Sequence, residues 1–191
     1  MAKKEIIKKP LIKKKKKWYK IFASKEFNRQ EIGQSPVSDT NLLIKKQIST
    51  NLVALTNDPK KQNIKVVFSV DKVEEDGAYT DLVKYELISA YVKRIVKRDK
   101  TKIEDSFIAI TKDEKKVRIK PIVITKNKTK GQIASRLRNE LRQYLLKHIN
   151  TLSMEELFQS CINHTLQNSI RENIKKIYPI NSSEIRILEK L

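Results

Sequence analysis

Apolar and polar residues alternate with a period of two over much of residues 18–125, which restricts this part of the chain to strands with one buried face. The cleanest run contains Ile64, Val66, Phe68 and Val70. An acidic turn, Glu74 to Gly77, follows, and the alternation resumes from Tyr79 to Leu87. The two runs predict an antiparallel hairpin in which Gly77 can take a positive φ.

Further strands are predicted on either side of this hairpin. Tyr19 to Ala23 and Ile48 to Ala54 alternate, while Phe27 to Thr40, with Gly33 and Pro36, is predicted to be a loop. A second hairpin is predicted from Ile103–Thr111 and Val117–Ile124 around Lys112–Lys116, with Pro121 at an edge or a bulge. Several short antiparallel strands favour a β-barrel-like or strongly curved sheet over a parallel α/β architecture.

The remaining apolar residues recur at helical spacing. Residues 91–98 predict a short helix with one apolar and one cationic face, and Thr129 to Ile149 predicts a longer basic amphipathic helix. Ser153 and Glu156 form a capping box that opens a helix with an apolar residue every four positions, ending before Pro179. A last strand is predicted at 184–188. At 191 residues the chain has material for one core, so we expect one α+β domain over residues 18–191.

The net charge is confined to three segments. Residues 1–20 carry +9, residues 91–102 carry +5 and residues 126–147 carry +6, which accounts for the whole formal charge of +20. The other 137 residues balance at 19 basic and 19 acidic. Cations gathered in this way around a neutral body are typical of a polyanion-binding protein, because each Lys or Arg set against a phosphate releases condensed counterions. The sequence therefore predicts a nucleic-acid partner.

The first seventeen residues are predicted to form a disordered basic arm, because their lysines repel one another in water. Its densest part, Lys13 to Lys17, directly precedes Trp18, the single tryptophan of the chain. Trp18 either stacks on a base or anchors the arm to the core, and the sequence leaves both interpretations open. A solvated tail and a localisation signal are further alternatives for the lysine run.

Reactive groups do not gather in the sequence. His148 and His164 are the only histidines, no cysteine pair accompanies them, and three glycines allow no glycine-rich phosphate loop, so we expect no catalytic site, no metal and no cofactor. The one cysteine, Cys161, fits a small buried side chain in a reducing compartment. No apolar run exceeds four residues, which argues against a membrane partner.

Several colinear pieces of the chain resemble one known family. These are Lys16–Tyr19 with Ile21 and Ala23, then Phe27 and Glu31–Gly33, Gln62–Lys65, Tyr91–Arg98, Lys116–Pro121, Lys175–Ile180 and Glu184–Arg186. In this order and spacing they resemble the S3Ae (S1e) family of archaeal and eukaryotic small-subunit ribosomal proteins, and the length suits an archaeal member. The chain departs from the family at Ser24, where proline is usual, and at Glu114, where glycine is frequent in the turn.

The resemblance implies a non-enzymatic structural constituent of the small ribosomal subunit, cytoplasmic and ribosome-bound. Its implied place is the platform, near the mRNA exit and the 3′ end of the rRNA. The implied partners are small-subunit rRNA and neighbouring small-subunit ribosomal proteins, with mRNA and initiation factors as further candidates. The candidate RNA-binding residues are Lys13, Lys14, Lys15, Lys16, Lys17, Trp18, Lys20, Lys93, Arg94, Lys97, Arg98, Lys126, Lys128, Lys130, Arg136 and Arg138.

Two alternatives come from other classes of protein. A free-standing basic RNA or DNA chaperone, or a nucleoid-type protein, would also carry a basic arm, but it would sediment apart from ribosomes. A magnesium-dependent nucleic-acid enzyme would need carboxylates on neighbouring strand ends facing the basic surface. The acidic residues of this chain lie mostly in predicted turns, which disfavours the enzyme.

Overall fold

The computed structural model describes residues 15–74 and 76–191, which form nine strands of one sheet and five α-helices. In chain order the elements are β1 Lys17–Phe22, β2 Glu31–Val37, β3 Gln47–Asn51, α1 Leu52–Thr56, β4 Ile64–Glu74, β5 Gly77–Leu87, α2 Ser89–Ile95, β6 Lys102–Glu104, β7 Phe107–Ile110, β8 Lys116–Thr125, α3 Gly131–Ile149, α4 Met154–Ile162, α5 Thr165–Ile174 and β9 Ile180–Lys190. The mixed α+β class is as predicted. Residues 1–14 of the predicted arm, Lys13 and Lys14 among them, lie outside the described residues.

The sheet is built around β5. β4 pairs along one edge of β5, while β1 and β9 share the other edge, β1 in parallel at Ile21↔Ala78 and β9 antiparallel at Tyr85↔Leu188. β9 continues to β8, and β8 carries both β6 and β7 on its far side. Each of β2, β3, β6 and β7 has a single partner strand, so the sheet is open. The predicted barrel-like closure is not confirmed.

Both predicted hairpins form. β4 and β5 pair antiparallel on either side of the acidic turn, and Gly77 has φ 155°. β7 and β8 form the second hairpin, but the strand predicted over residues 103–111 is divided at residues 105 and 106 into β6 and β7. The ladder between β8 and β9 shifts register at Pro121, the bulge expected of a residue without an N–H. The last strand is longer than the predicted 184–188, because β9 is sandwiched between β5 and β8 and pairs along most of its length.

The main core lies between the sheet and the three C-terminal helices. Helix α3 contributes a buried stripe of Leu137, Leu141, Leu145 and Ile149, and α4 and α5 pack their apolar sides against the same strands. A smaller cluster contains Ile21, Val37, Leu43, Val70 and Ala78, and it holds β1 and β2 to the hairpin of β4 and β5. The strand-rich and helical segments therefore share one main core.

The prediction of a loop over residues 27–40 is wrong in part, because residues Glu31–Val37 form β2. β2 pairs with β1 alone among the described strands. Its other edge has no partner strand, so the missing N–H of Pro36 breaks no ladder on that edge. Gly33 and Pro36 interrupt the alternation of apolar and polar residues, so the sequence pattern does not indicate this strand. The predicted strand over residues 48–54 ends early for a local reason. The side chain of Asn51 accepts a hydrogen bond from Val53 N–H and begins α1.

The single helix predicted from Ser153 to Pro179 is two helices. The capping box forms as predicted, with Ser153 and Glu156 exchanging hydrogen bonds. Helix α4 ends at Ile162, and His164, at φ 59°, turns the chain before α5 begins. The Gln167 side chain donates to the Cys161 carbonyl over 2.9 Å, so a carbonyl freed by the break still has a partner.

Candidate nucleic-acid interface

The described part of the arm is fully exposed where it enters β1. Lys15, Lys16 and Lys17 lie at the surface, and Trp18 is 69% exposed opposite Pro36 of β2. The interpretation that Trp18 anchors the arm to the core is wrong, because its neighbours Tyr19 and Ile21 pack inward and strand geometry turns Trp18 to the other face. An exposed indole beside three lysines is free to contact a partner.

Lys20 differs from the lysines before it. Its Nζ lies 3.6 Å from Glu31 Oε2 on the neighbouring strand β2. An exposed pair of this kind contributes little to stability. It does, however, offset part of the cationic charge that Lys20 would present to a polyanion.

Helix α2 begins and ends earlier than the predicted range of 91–98, and only two of the four cations assigned to it lie on the helix. Tyr91 and Val92 pack against the main core, and the helix ends at Ile95, so Lys97 and Arg98 lie in the loop that follows. Arg94 donates to the Asn63 side chain over 3.4 Å and lies 5.2 Å above the Tyr91 ring, which makes it partly structural. Lys93, Lys97 and Arg98 are exposed and form no ion pair within residues 15–74 and 76–191.

Hydrogen bonds among three threonines join the second and third basic segments. Thr101 N–H donates to Thr125 Oγ1 over 3.0 Å, and Thr125 N–H donates to the Thr101 carbonyl over 3.1 Å. Thr129 N–H then donates to Thr101 Oγ1 over 2.9 Å. Thr125 is completely buried, whereas Thr101 and Thr129 are half-buried, so these bonds are partly shielded from water. The loop carrying Lys97 and Arg98 is thereby held against the loop of residues 126–130.

A third segment meets these two loops at the same place. Lys126 N–H donates to the Pro179 carbonyl over 2.9 Å, so the chain that leaves the turn after α5 passes beside residue 126. Lys175 and Lys176 in this turn are exposed. We call residues 97–100, 126–130 and 175–176 together the basic corner. Sequence reasoning missed Lys175 and Lys176 because residues 153–178 as a whole balance at three basic and three acidic, although the two lysines are adjacent and close to Pro179.

The first turn of α3 opens onto the basic corner. Lys130 stands at the N-cap position without a side-chain cap, and a Cβ built on Gly131 would meet nothing within 4 Å. The N-terminal amides and the helix dipole therefore add positive potential beside Lys126, Lys128 and Lys130, all of which are exposed.

The arginines of α3 divide into free and engaged groups. Arg136 is exposed and has no ion pair among the described residues, whereas Arg138 Nε donates to the Glu104 carbonyl over 3.3 Å. Arg142 lies 3.5 Å from Asp105 and 5.5 Å above the Phe107 ring. Arg142, which is not among the candidate RNA-binding residues, fixes α3 to the sheet through these two contacts. Arg136 is the arginine of this helix that is most available to a ligand.

The acidic residues are concentrated at the other end of the hairpin of β4 and β5. A cleft of about 400 Å³ is lined by Glu26, Asp71, Glu74, Asp81 and Glu155, together with Lys25, Arg29 and Lys72. Burial, and then the charges of Glu155 and Asp81, raise the pKa of Glu26 to about 7. The eight residues from Thr80 to Leu87 span about 24 Å of strand. A polyanion is therefore favoured at the basic corner and disfavoured at this cleft.

The cysteine and the two histidines lie on the C-terminal helices or at their junction. Burial raises the pKa of the Cys161 thiol, so it stays protonated. Burial and the nearby charge of Lys61 lower the pKa of His164, and His148 lies on α3 far along the chain from it. Over the described residues no three His, Cys, Asp or Glu side chains are placed to hold a metal ion. None of the helices described is long and apolar enough to cross a bilayer.

Comparison with known proteins gives one consistent result. Residues 4–191 match the sequence model of the ribosomal S3Ae family. The small ribosomal subunit protein eS1 of Archaeoglobus fulgidus is 34% identical over 178 residues, which cover 92% of this chain and 84% of that protein. The protein of the same name in Methanothermobacter thermautotrophicus is 30% identical over 180 residues, 93% of this chain and 92% of that protein. Its namesake in Haloarcula marismortui is 29% identical over 90% of this chain and 80% of that protein. The chain therefore belongs to the ribosomal S3Ae family.

Proposed function

We propose that this protein is a structural constituent of the small ribosomal subunit and that its basic corner binds the phosphate backbone of small-subunit rRNA. Membership of a ribosomal protein family supports the first part, as do relatives named small ribosomal subunit proteins. The protein then acts in translation, bound to the ribosome in the cytoplasm, and is not an enzyme. The alternative of a free-standing chaperone or nucleoid-type protein has no support in this relationship.

The observation that carries the RNA-binding part is the meeting of three separate segments at the basic corner. Most of their lysines and Arg98 are exposed, and the loops of residues 97–100 and 126–130 are joined by the part-buried hydrogen bonds of Thr101, Thr125 and Thr129. Fixed cations and exposed backbone amides suit recognition of a folded RNA by its shape and its phosphates, which requires no base-reading set. The excess of lysine over arginine fits the same mode.

The remaining candidates extend this surface. We assign Lys93, Arg136 and the arm lysines to further phosphate contacts, with Arg94, Arg138 and Lys20 in a lesser role because each already has a partner within the protein. Trp18 is assigned to stacking on a base, since its indole is exposed beside cations. Residues 1–17 act as an arm, and residues 18–191 act as one domain, supported by the single sheet and the shared core.

The family resemblance also supplies a location. We place the protein on the platform of the small subunit, near the mRNA exit and the 3′ end of the rRNA, with neighbouring small-subunit proteins packed against it. In this position mRNA and initiation factors are further candidate partners. The acid-rich cleft suits contact with a protein rather than with RNA.

Charge reversal tests the proposal. Lys97→Glu, Arg98→Glu and Lys128→Glu together should lower incorporation into small subunits at least tenfold, measured by sedimentation and mass spectrometry in cells depleted of the unmodified protein. The matched control is Lys45→Glu, Lys60→Glu and Lys147→Glu, which makes the same change of charge at exposed lysines outside the basic corner. Both variants should retain the circular dichroism spectrum of the parent. Equal incorporation of the two would remove the basic corner from the binding surface.

A further inference from the structure

Strand β7 leaves one edge of the sheet open and apolar. It pairs with β8 alone, and no strand of the described residues lies beyond it. Phe107 and Ala109 point into the core, whereas Ile108 and Ile110 are each 52% exposed on the solvent face. Two large apolar side chains at successive outward positions of an edge strand are unusual, because proteins normally protect such edges with charge, proline or a covering element.

The register shows which backbone groups of β7 are free. Thr111 N–H donates to the Lys115 carbonyl over 3.0 Å and closes the hairpin. Because hydrogen-bonded and non-hydrogen-bonded pairs alternate in an antiparallel ladder, Ala109↔Val117 is the next hydrogen-bonded pair. The N–H and C=O of Ile108 and Ile110 therefore point away from β8. The two isoleucines thus offer both their side chains and their backbone groups to a neighbour.

The other outer strands of the described residues do not offer the same combination. The positions of β6 that are not buried, Lys102 and Glu104, are charged, and the Glu104 carbonyl already accepts a hydrogen bond from Arg138. The exposed positions of β3 are Gln47, Ser49 and Asn51, which are polar. On β2 the exposed positions include Pro36, which lacks an N–H. The apolar open edge is a property of β7 in particular.

The neighbouring strand indicates the charge of the occupant. The solvent face of β8 next to Ile108 and Ile110 carries Lys116, Arg118 and Lys120 at alternate positions. Arg118 is paired with Glu189 of β9 at 3.5 Å, whereas Lys116 and Lys120 have no ion pair among the described residues. A second copy of this chain would bring the same row of cations against itself. RNA would gain nothing from the two isoleucines.

We propose that the edge of β7 binds an extended segment of a protein partner, which adds a strand to the sheet beyond β7. The segment has apolar side chains that pack on Ile108 and Ile110 and carboxylates that face Lys116 and Lys120. Backbone hydrogen bonds supply affinity, and the alternating side chains supply specificity. This surface is separate from the basic corner and does not depend on it for its contacts.

Photo-crosslinking in assembled small subunits tests the proposal. A benzoylphenylalanine introduced at position 108 or 110 should crosslink to one protein peptide containing Asp or Glu, identified by mass spectrometry. The same group at the exposed position 65 of β4 is the control and should not yield that peptide. Crosslinks to rRNA, crosslinks to a second copy, or no crosslink from either position would each overturn the proposal.

Two further variants separate binding from folding. Ile110→Pro removes an outward N–H and the Ile110 side chain but no N–H that faces β8, so the ladder with β8 is kept, and the crosslink from position 108 should fall about tenfold. If that variant does not fold, Ile110→Glu and Ile110→Lys provide a matched pair of substitutions at an exposed site. Because the proposed partner segment is acidic, Ile110→Glu should weaken the crosslink from position 108 more than Ile110→Lys. Equal yields from that pair would count against the proposal. Subunits that lack the protein altogether would instead contradict the ribosomal role, which sedimentation detects separately.

Discussion

Glu184 of β9 is a carboxyl group held largely out of water by α2 and by the junction of α4 and α5. Its side chain is 14% exposed, Tyr91 Oη donates to Oε1 over 3.3 Å, and His164 Nδ1 lies 3.8 Å from Oε2. Oε2 is buried and has no hydrogen-bond partner. Burial raises the pKa of Glu184 to about 7, with the Tyr91 hydrogen bond acting in the opposite direction. Because the pKa of His164 is lowered, that imidazole supplies no charge to offset the ionised carboxylate at neutral pH.

This environment predicts the direction of a pH dependence. The folded protein holds the proton of Glu184 up to about pH 7, whereas the unfolded chain releases it near 4.5. The contribution to stability is therefore complete below pH 4.5 and is lost as the pH rises through 7. Glu184→Gln should raise the free energy of unfolding at pH 8 by about 1 to 3 kcal/mol and change it little at pH 4, measured by urea denaturation.

Two other glutamates serve as controls for that measurement. Glu26 has a pKa raised in the same direction, so the Glu184→Gln protein should keep a weaker slope of the same sign. Glu156 has the opposite shift, because hydrogen bonds from Ser153 lower its pKa, and its contribution is lost on acidification. A Glu184→Gln protein with the pH profile of the parent would show that this carboxyl group is solvated.

Single residues also show where sequence reasoning succeeds. Cys161 was predictable as a buried apolar side chain from its place in a helical pattern, and it is fully buried. The exposure of Trp18 was not predictable in the same way, because it follows from Tyr19 and Ile21 occupying the inward positions of β1. Glu114 occupies a left-handed turn position at φ 58°, a conformation that glycine adopts without the steric cost of a Cβ.

At the scale of elements, the strands with a clean period of two were predictable and the irregular ones were not. β4 and β5 bury every second residue over most of their length, and β8 does so from Lys116 to Pro121 before it becomes continuously buried. β2 was missed because an outer strand tolerates Gly33 and Pro36. The break between α4 and α5 was missed because Ile162 and Leu166 continue the four-residue spacing across it, since both helices pack on the same core. Periodicity reports what is buried and not whether the backbone is continuous.

The junction of β1 with β5 depends on Gly77. A Cβ at this position would lie 2.6 Å from the Lys20 carbonyl oxygen and 2.8 Å from the Phe22 ring, and the φ of 155° is one that L-residues rarely adopt. Gly77→Ala should therefore separate β1 from β5 and destabilise the protein by about 2 to 4 kcal/mol in thermal or urea unfolding.

Gly131 provides the matched control for this substitution. It opens α3, and a Cβ there would meet nothing within 4 Å. Gly131→Ala should leave stability unchanged or raise it by up to about 1 kcal/mol, because alanine favours the helix. If Gly77→Ala were as stable as Gly131→Ala, the close approach of β1 to β5 would not exist in solution.

At the scale of the whole molecule, the sequence predicts the charge of the three basic segments but not how these segments are arranged in space. The three basic segments could be counted directly from the chain. Their arrangement depends on hydrogen bonds between residues far apart in sequence, such as Thr101 with Thr125 and Lys126 with Pro179. Such contacts leave no periodic pattern in the sequence. Only the structure shows that the second and third basic segments meet and that Lys175 and Lys176 belong to the basic corner.

The size of this surface sets the salt dependence of binding. If about six phosphates are neutralised, the affinity for small-subunit rRNA should fall about a thousandfold between 50 and 200 mM salt, because the logarithm of affinity falls by about 0.9 per phosphate for each tenfold rise in salt. Filter binding of the purified protein to transcribed rRNA measures the slope. Lys128→Gln should reduce the slope by about one unit, whereas Lys45→Gln, at an exposed lysine outside the basic corner, should not. A flat salt profile would exclude phosphate-led binding. Equal slopes for Lys128→Gln and Lys45→Gln would place the phosphate contacts outside the basic corner, because counterion release reports only the cations that contact phosphate.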